Sequence, residues 1–385
     1  MSLSPRLRIA VLNRVFETTG GGAERYSIAL VEQLSQRHEV HVFAQQIKHD
    51  APGVTYHPVS MPMRKPRWIN QLWYAYATWR ATRSGFDIVH SHENTWHGQV
   101  QTVHVLPVKH NLFYGRTGFK RALRWLKVVT SPRLLAYLWL ERMRFATRPD
   151  RRVVVTSASL GTTMAATYPG TIAATNVITP GVHLPDASSD AGKRTARDQL
   201  GLPASCRCLL FVGNDYKKKG LDTLLQAMTG MPGDVVLAVV GSAASIPAYA
   251  RQAEAAGIGK RVFFLGALPD VMSVYRASDA LVHPTLEDTF AMVVLEAMAH
   301  GLPVVVSSAA YCGISGLLSH GVNALILEDP RNAQQLGHTL NQLLADATLR
   351  QQLGEQARAF ASQYLWQDIA RQQEAVYLSA LKPSA

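Results

Sequence analysis

Two carboxylates, Asp288 and Glu296, stand eight residues apart where the chain passes from strand to helix. Residues 280–283 are apolar up to His283, residues 284–291 hold turn formers and acids, and 292–299 return to a helical apolar pattern. Gly301-Leu302-Pro303 then breaks the helix ahead of a second apolar run. This order puts Asp288 in the loop and Glu296 two turns into the helix. A helix N-terminus presents unpaired N–H groups and the positive end of its dipole, which suits a bound anion. An acid ahead of that helix suits sugar hydroxyls, and one inside it suits a ribose. Glu287, one residue out of register, competes for the first position. Alternatively, Asp288 caps the helix and Glu296 is solvated.

Further residues extend this chemistry. Lys217-Lys218-Lys219 lies between Gly213 and Gly220, three residues beyond the apolar run 208–213. A leaving diphosphate needs such counter-charge in a dry site. Gly20-Gly21-Gly22-Ala23-Glu24-Arg25 joins the first apolar run to the first helical pattern. Glycines there let backbone approach a diphosphate, and Glu24 favours the helix dipole. Gln101-Thr102-Val103-His104 reads as a strand ending in histidine. His90, His92, His97 and His110 are close in sequence, but strand geometry is expected to turn them to different faces, so no metal site is expected. Cys206, Cys208 and Cys312 form no disulfide framework or zinc spacing and imply a reducing compartment.

Residues 282–306 resemble the paired-acid signature of retaining glycosyltransferases with the GT-B fold, of the family 4 type. Where relatives carry Glu-Gly-Phe-Gly, this chain has Asp288-Thr289-Phe290-Ala291. Residues 211–225 resemble the donor-phosphate loop, with Lys219 at the family lysine, Asn214 in place of an arginine, and Lys218 able to restore that cation. Within the family these features look closest to lipopolysaccharide-core glucosyltransferases, which transfer glucose from UDP-glucose to a heptose. The resemblance implies catalytic roles for His104, Asp288 and Lys219. His104 would hydrogen-bond a donor-sugar hydroxyl. It implies nucleotide-sugar contacts from Gly21, Gly22, Gly213, Asn214, Lys218, Lys219, Gly241, Val262, Phe290, Ala291, Met292, Val293 and Glu296. It calls for no metal and no cofactor, because cations and helix termini neutralise the leaving diphosphate.

The chain has 385 residues, enough for two cores. Strands at 7–12, 39–44, 88–90, 153–156 and 176–178 alternate with helical patterns at 23–36, 68–84 and 116–148. After a turn at 179–183 and a soft stretch at 185–193, strands recur at 208–213, 235–240, 262–265, 280–283 and 303–307, and 349–381 is helical. Alternation of this kind argues for parallel sheets. The expected fold is α/β, GT-B: two Rossmann-like domains with parallel sheets facing a central cleft, and a C-terminal helix crossing back. The expected domains are 1–180 for the acceptor, 181–365 for the nucleotide sugar, and 366–385 as the returning helix.

Charge is concentrated in one region. Residues 61–150 hold 15 Lys and Arg against 4 Asp and Glu, a net +11 of the chain's +12. Trp68, Trp73, Trp79 and Trp125 are interleaved with these cations. That combination suits an anionic membrane surface, and no nucleic-acid motif accompanies it. The chain starts almost directly with a strand and has no apolar run of transmembrane length, so the expected location is cytoplasmic, peripheral to the inner face of the cytoplasmic membrane. The expected function is hexose transfer, of glucose from a UDP-sugar, to a glycan or lipid-linked acceptor in lipopolysaccharide or cell-surface polysaccharide synthesis. The alternatives are a sugar-nucleotide epimerase of the same fold and a non-catalytic, membrane-associated nucleotide-sugar-binding protein.

Overall fold

The computed structural model describes residues 5–17, 21–186, 189–268 and 270–381. Gly20 of the glycine loop and residues 187–188 of the soft stretch lie outside the described residues. The chain divides into two compact units, Met1–Pro180 with Trp366–Ala385, and Gly181–Leu365.

The first unit carries β1 (Arg8–Leu12), β2 (Val15–Glu17), α1 (Gly22–Leu34), β3 (Glu39–Ala44), β4 (Gln46–Lys48), β5 (Val54–Pro58), α2 (Arg67–Thr82), β6 (Ile88–Ser91) and β7 (Val100–Val103). It continues through α3 (Val108–Phe113), α4 (Gly118–Val129), α5 (Pro132–Arg144), β8 (Arg152–Val155), α6 (Ala158–Thr167) and β9 (Thr175–Val177). Seven strands form one parallel sheet in the order β5-β3-β1-β6-β7-β8-β9. The central strands are buried along almost their whole length, as parallel sheets covered on both faces require.

The second unit carries α7 (Asp190–Gln199), β10 (Arg207–Gly213), α8 (Leu221–Met228), β11 (Val235–Gly241), α9 (Ile246–Ala255), β12 (Val262–Gly266), α10 (Met272–Ala277) and β13 (Ala280–His283). After these come α11 (Met292–Ala299), β14 (Val304–Ser307), β15 (Leu325–Leu327), α12 (Ala333–Ala345) and α13 (Ala347–Ala361). Its sheet is also parallel, in the order β12-β11-β10-β13-β14-β15. The last helix, α14 (Trp366–Leu381), belongs to the first unit, where Trp366 meets Tyr26 of α1 edge-on at 5.4 Å.

Both halves are therefore doubly wound, and each sheet reverses its strand order once. The reversal falls beside β1 and β6 in the first unit and between β10 and β13 in the second. Sheets of this kind bind ligands beyond the carboxyl ends of the strands at the reversal.

Several elements differ from expectation. The stretch 116–148 is two helices, α4 and α5, because Pro132 opens a new helix that Ser131 caps by accepting from Leu134 N. The tail 349–381 is likewise broken between α13 and α14. Strands β2, β4, β5 and β15 were not expected. β5 carries polar residues at an edge of the sheet, and the other three have only three residues each. Helix α4 leaves Phe119 81 % and Leu126 59 % exposed, with Leu123 and Val129 also exposed. Lys120, Arg121, Arg124 and Lys127 share the same helix, which has no acid.

Candidate functional site

In the second unit the residues at the strand reversal form one connected cluster. β10 ends at Gly213 and β13 at His283, and the loops that follow them are bonded together. Leu286 N donates to Lys218 O at 2.8 Å, and Thr285 Oγ1 donates to the same carbonyl at 3.3 Å. Gly220 sits at φ +82°, and a Cβ there would lie 1.9 Å from Pro284 O. Gly213 makes room for Lys219, whose Cγ would be 2.8 Å from a Cβ at 213.

These constraints aim Lys219 at Asp288. Its ammonium donates to Asp288 Oδ2 and, at 3.4 Å, to Glu287 O. His283 Nε2 donates to Asp288 Oδ2 at 3.3 Å, and the N–H groups of Phe290 and Ala291 donate to Oδ1 at 3.2 and 2.9 Å. Burial alone would raise the Asp288 carboxyl, but the His283 hydrogen bond and the Lys219 charge outweigh it and hold it well below the usual carboxylate range. Burial pushes His283 down against its bond to Asp288, so His283 is neutral near pH 7. The Asp288 carboxylate is thus held by a cation, an imidazole and two backbone donors, although it was expected to face sugar hydroxyls. The short aspartate side chain can cap the turn with one oxygen and take Lys219 with the other. Glu287, its competitor in register, pairs with Lys218 at 2.6 Å, with both side chains 44 % exposed.

Ala291 occupies the left-handed region at φ +72° and ψ +71° as the residue capping α11. A Cβ there costs about 1–2 kcal/mol, and removing one buried methyl costs about 0.8 kcal/mol. Ala291→Gly is therefore expected to be neutral or stabilising by up to about 1 kcal/mol. Ala297→Gly, inside α11, should destabilise by at least about 1 kcal/mol. Urea unfolding of the two variants checks this, and an equal loss from both would contradict it.

Glu296 is half-buried in α11 and accepts from Tyr275 OH at 2.7 Å, and the His300 ring stacks on Tyr275 at 5.1 Å. Met292 and Val293 form the first turn of α11, while Phe290 is buried in the core. Gly241 closes β11 beside Gly213, and Val262 opens β12. Asn214 is exposed at the start of the lysine loop.

In the first unit, Gly21 caps α1, Gly22 is its first residue, and Arg25 N donates to Gly21 O at 3.2 Å. His104 follows β7. Contrary to expectation, His90 and His92 are not dispersed. Residues i and i+2 of a strand share a face, so their rings pack together, tilted by 36° with centroids 4.3 Å apart. His92 Nδ1 lies 2.9 Å from His104 Nε2. His97 lies apart against Trp96, and His110 stacks on Tyr114. His90 Nδ1 bonds Tyr377 OH and its Nε2 bonds Thr102 Oγ1, each at 2.7 Å. Burial pushes His90 and His104 down to about 3, with Arg144 adding to the effect. Arg144 is itself buried and donates to Gln101 Oε1 and Thr102 O. The cluster is therefore neutral imidazole. Among the described residues no group of three His, Cys, Asp or Glu is placed to hold a metal ion.

Tyr275, His283, His92 and Arg144 were not singled out as site residues from sequence. The signal for His92 was present as the i, i+2 pair with His90. Tyr275 and Arg144 carried none, since their partners are distant in sequence.

Two doubly wound parallel sheets, each with its polar cluster at the strand reversal, define the GT-B class of fold. Residues 20–185 match the family described as Glycosyltransferase Family 4, and residues 192–360 match Glycosyl transferases group 1. The chain belongs to these glycosyltransferases. A D-inositol 3-phosphate glycosyltransferase of Xylanimonas cellulosilytica is 35 % identical over 218 residues, covering 54 % of this chain and 52 % of the relative. The lipopolysaccharide glucosyltransferase WaaG of Escherichia coli is 30 % identical over 169 residues, covering 43 % of this chain and 44 % of the relative. The matches thus span about half the length of these curated relatives or less. Among solved structures, a WaaG crystal structure aligns with a TM-score of 0.81 at 20 % identity, covering 96 % of this chain and 99 % of the other. Anabaena HepE in complex with UDP and glucose aligns at 0.75 and 20 % identity, covering 97 % and 100 %. These structural likenesses bear on the fold.

Proposed function

We propose that this chain is a retaining hexosyltransferase that moves glucose from UDP-glucose to a glycan or lipid-linked acceptor in lipopolysaccharide or cell-surface polysaccharide assembly. The observation that carries this reading is the cluster of Lys219, Asp288 and His283 beyond the carboxyl ends of β10 and β13, with Glu296 in the helix that follows. The names of the relatives support the finer details: WaaG is a lipopolysaccharide glucosyltransferase, and HepE was solved with UDP and glucose. In this reading the second unit holds the donor and the first holds the acceptor.

An ammonium has three donors. Asp288 and the Glu287 carbonyl take two on Lys219, and the third serves the donor's β-phosphate. Lys218 leaves Glu287 to add the charge that an arginine at 214 would supply. Glu296, steadied by Tyr275, accepts from the ribose hydroxyls. During transfer the anomeric C–O bond to the β-phosphate breaks while the acceptor oxygen bonds the same carbon on the same face. The acceptor proton passes to the departing phosphate oxygen, and UDP leaves. His104 hydrogen-bonds a sugar hydroxyl.

The acceptor reading places the first unit on an anionic inner-membrane surface through residues 61–150, with α4 lying in the interface. No helix among the described residues is long and apolar enough to cross a membrane. The exposed apolar side chains of α4 supply insertion. Each of its four cations contributes about 1 kcal/mol near an anionic surface, an attraction that salt screens. Vesicle co-sedimentation is expected to require anionic lipid and to fall with ionic strength. Replacing Lys120, Arg121, Arg124 and Lys127 by Gln should weaken it while leaving UDP binding intact. Equal binding to neutral vesicles would remove the membrane part of the proposal.

The catalytic part is tested by incubating the protein with UDP-, GDP- and ADP-glucose. UDP-glucose is expected to raise the melting temperature and to be hydrolysed slowly without acceptor, and Glu296→Gln should abolish the stabilisation. A protein indifferent to all three donors would contradict the reading.

A further inference from the structure

We propose that His92 is a positioning residue for His104: it donates from Nδ1 to His104 Nε2 and so fixes the proton of His104 on Nδ1. The inference rests on the reading of His104 as a residue that meets a sugar hydroxyl.

The argument is one of hydrogen-bond satisfaction. The two ring nitrogens lie 2.9 Å apart, and the rings are within 12° of parallel with centroids 5.2 Å apart. One nitrogen must supply the N–H and the other the lone pair. Both rings are neutral, because burial pushes His92 well down and His104 to about 3. Two arrangements remain. Either His92 donates from Nδ1 and its Nε2 is bare, or His104 donates from Nε2 and the proton of His92 sits on Nε2. His92 Nε2 is buried without a hydrogen-bond partner. A buried N–H lacking an acceptor is a rare and costly orphan. The first arrangement avoids it.

The rest of the cluster holds His92 in place. His90 packs against it at a tilt, fixed by Tyr377 on one nitrogen and Thr102 on the other. The Tyr26 ring packs edge-on to His104 at 4.9 Å. The consequence is chemical. With its proton on Nδ1, His104 gives a hydrogen bond to a sugar oxygen. In the opposite tautomer its Nδ1 would carry a lone pair and could only accept a hydrogen bond from that hydroxyl. His92 thereby selects a donor over an acceptor.

Long-range proton–nitrogen correlation spectra of protein labelled at histidine with nitrogen-15 test the assignment at neutral pH. The His104 signals are identified by their loss in His104→Gln. The wild type is expected to show His104 protonated on Nδ1. His92→Phe should lose that pattern and lower kcat at least about tenfold, as when a histidine loses the partner that sets its tautomer. His92→Asn, whose amide nitrogen occupies the place of Nδ1, should restore both. Protonation on Nε2 in the wild type, or an unchanged pattern in His92→Phe, overturns the proposal. If the tautomer behaves as expected but His104→Gln transfers sugar normally, the sugar-contact reading fails and the tautomer assignment stands.

Discussion

Lys219→Ala is expected to destabilise the second unit by about 3–5 kcal/mol, because it strands the Asp288 carboxylate without its cation. The Asp288 and Lys219 side chains are only 15 % and 20 % exposed. Lys218→Ala, which breaks a half-exposed pair, should cost about 0–1 kcal/mol. The comparison has a pH signature. In the wild type the carboxyl is held low, so its stabilisation is present at neutral pH and is lost progressively as pH falls from the usual carboxylate range through that low value. In Lys219→Ala the lysine's share of that lowering is gone while the His283 bond and the two backbone donors remain, so the carboxyl moves back up and contributes less stabilisation at neutral pH. Urea midpoints of wild type and variant should therefore converge as pH falls below about 5, where the wild type gives up the larger contribution. A gap that does not narrow would show that the loss comes from lysine packing rather than from charge. Diphosphate affinity should also fall more in Lys219→Ala than in Lys218→Ala or Lys217→Ala, and equal small losses from all three would point to a solvated lysine turn.

Gly220→Ala is the second large effect. Its φ of +82° disfavours any Cβ, and that Cβ would stand 1.9 Å from the Pro284 carbonyl oxygen. The obstacle is backbone, so relief requires the two loops to part, at about 3 kcal/mol or more. For a unit of this size that is a fall in Tm of roughly 6–12 °C. Gly257→Ala is the control. It also has positive φ, +73°, but no atom lies within 4 Å of the new Cβ. It should lose only about 1–2 kcal/mol from backbone strain. Equal losses at the two positions would mean that the loops are not locked at Gly220.

The fold class was legible because apolar runs of strand length alternated with helical patterns twice, and turn residues separated the two series. What was not legible depended on partners far apart in sequence. Nothing near Asp288 announced Lys219, 69 positions earlier, so its carboxylate reads as one for sugar hydroxyls although four protein groups hold it. Strand β5 escaped notice because its exposed edge carries Thr55, Tyr56 and His57 in place of an apolar run. The histidine cluster was misread for a different reason. Strand alternation was known, but His90 and His92 are two apart, so alternation brings them together. His104 then joins them from the next strand, a neighbour that local sequence does not reveal.

The placement of α14 bears on how the protein is made. Tyr377, which bonds His90 inside the first unit, is synthesised only after residues 181–365. At translation rates of about 5–20 residues per second, that interval lasts roughly 10–40 s. During it the nascent first unit has a sheet but lacks the helix that covers Tyr26 and completes the histidine bonds. The second unit is contiguous and has no such wait. The N-terminal half is therefore the part of the newborn chain that waits longest for its last helix, and its histidine cluster is finished only once α14 has been made.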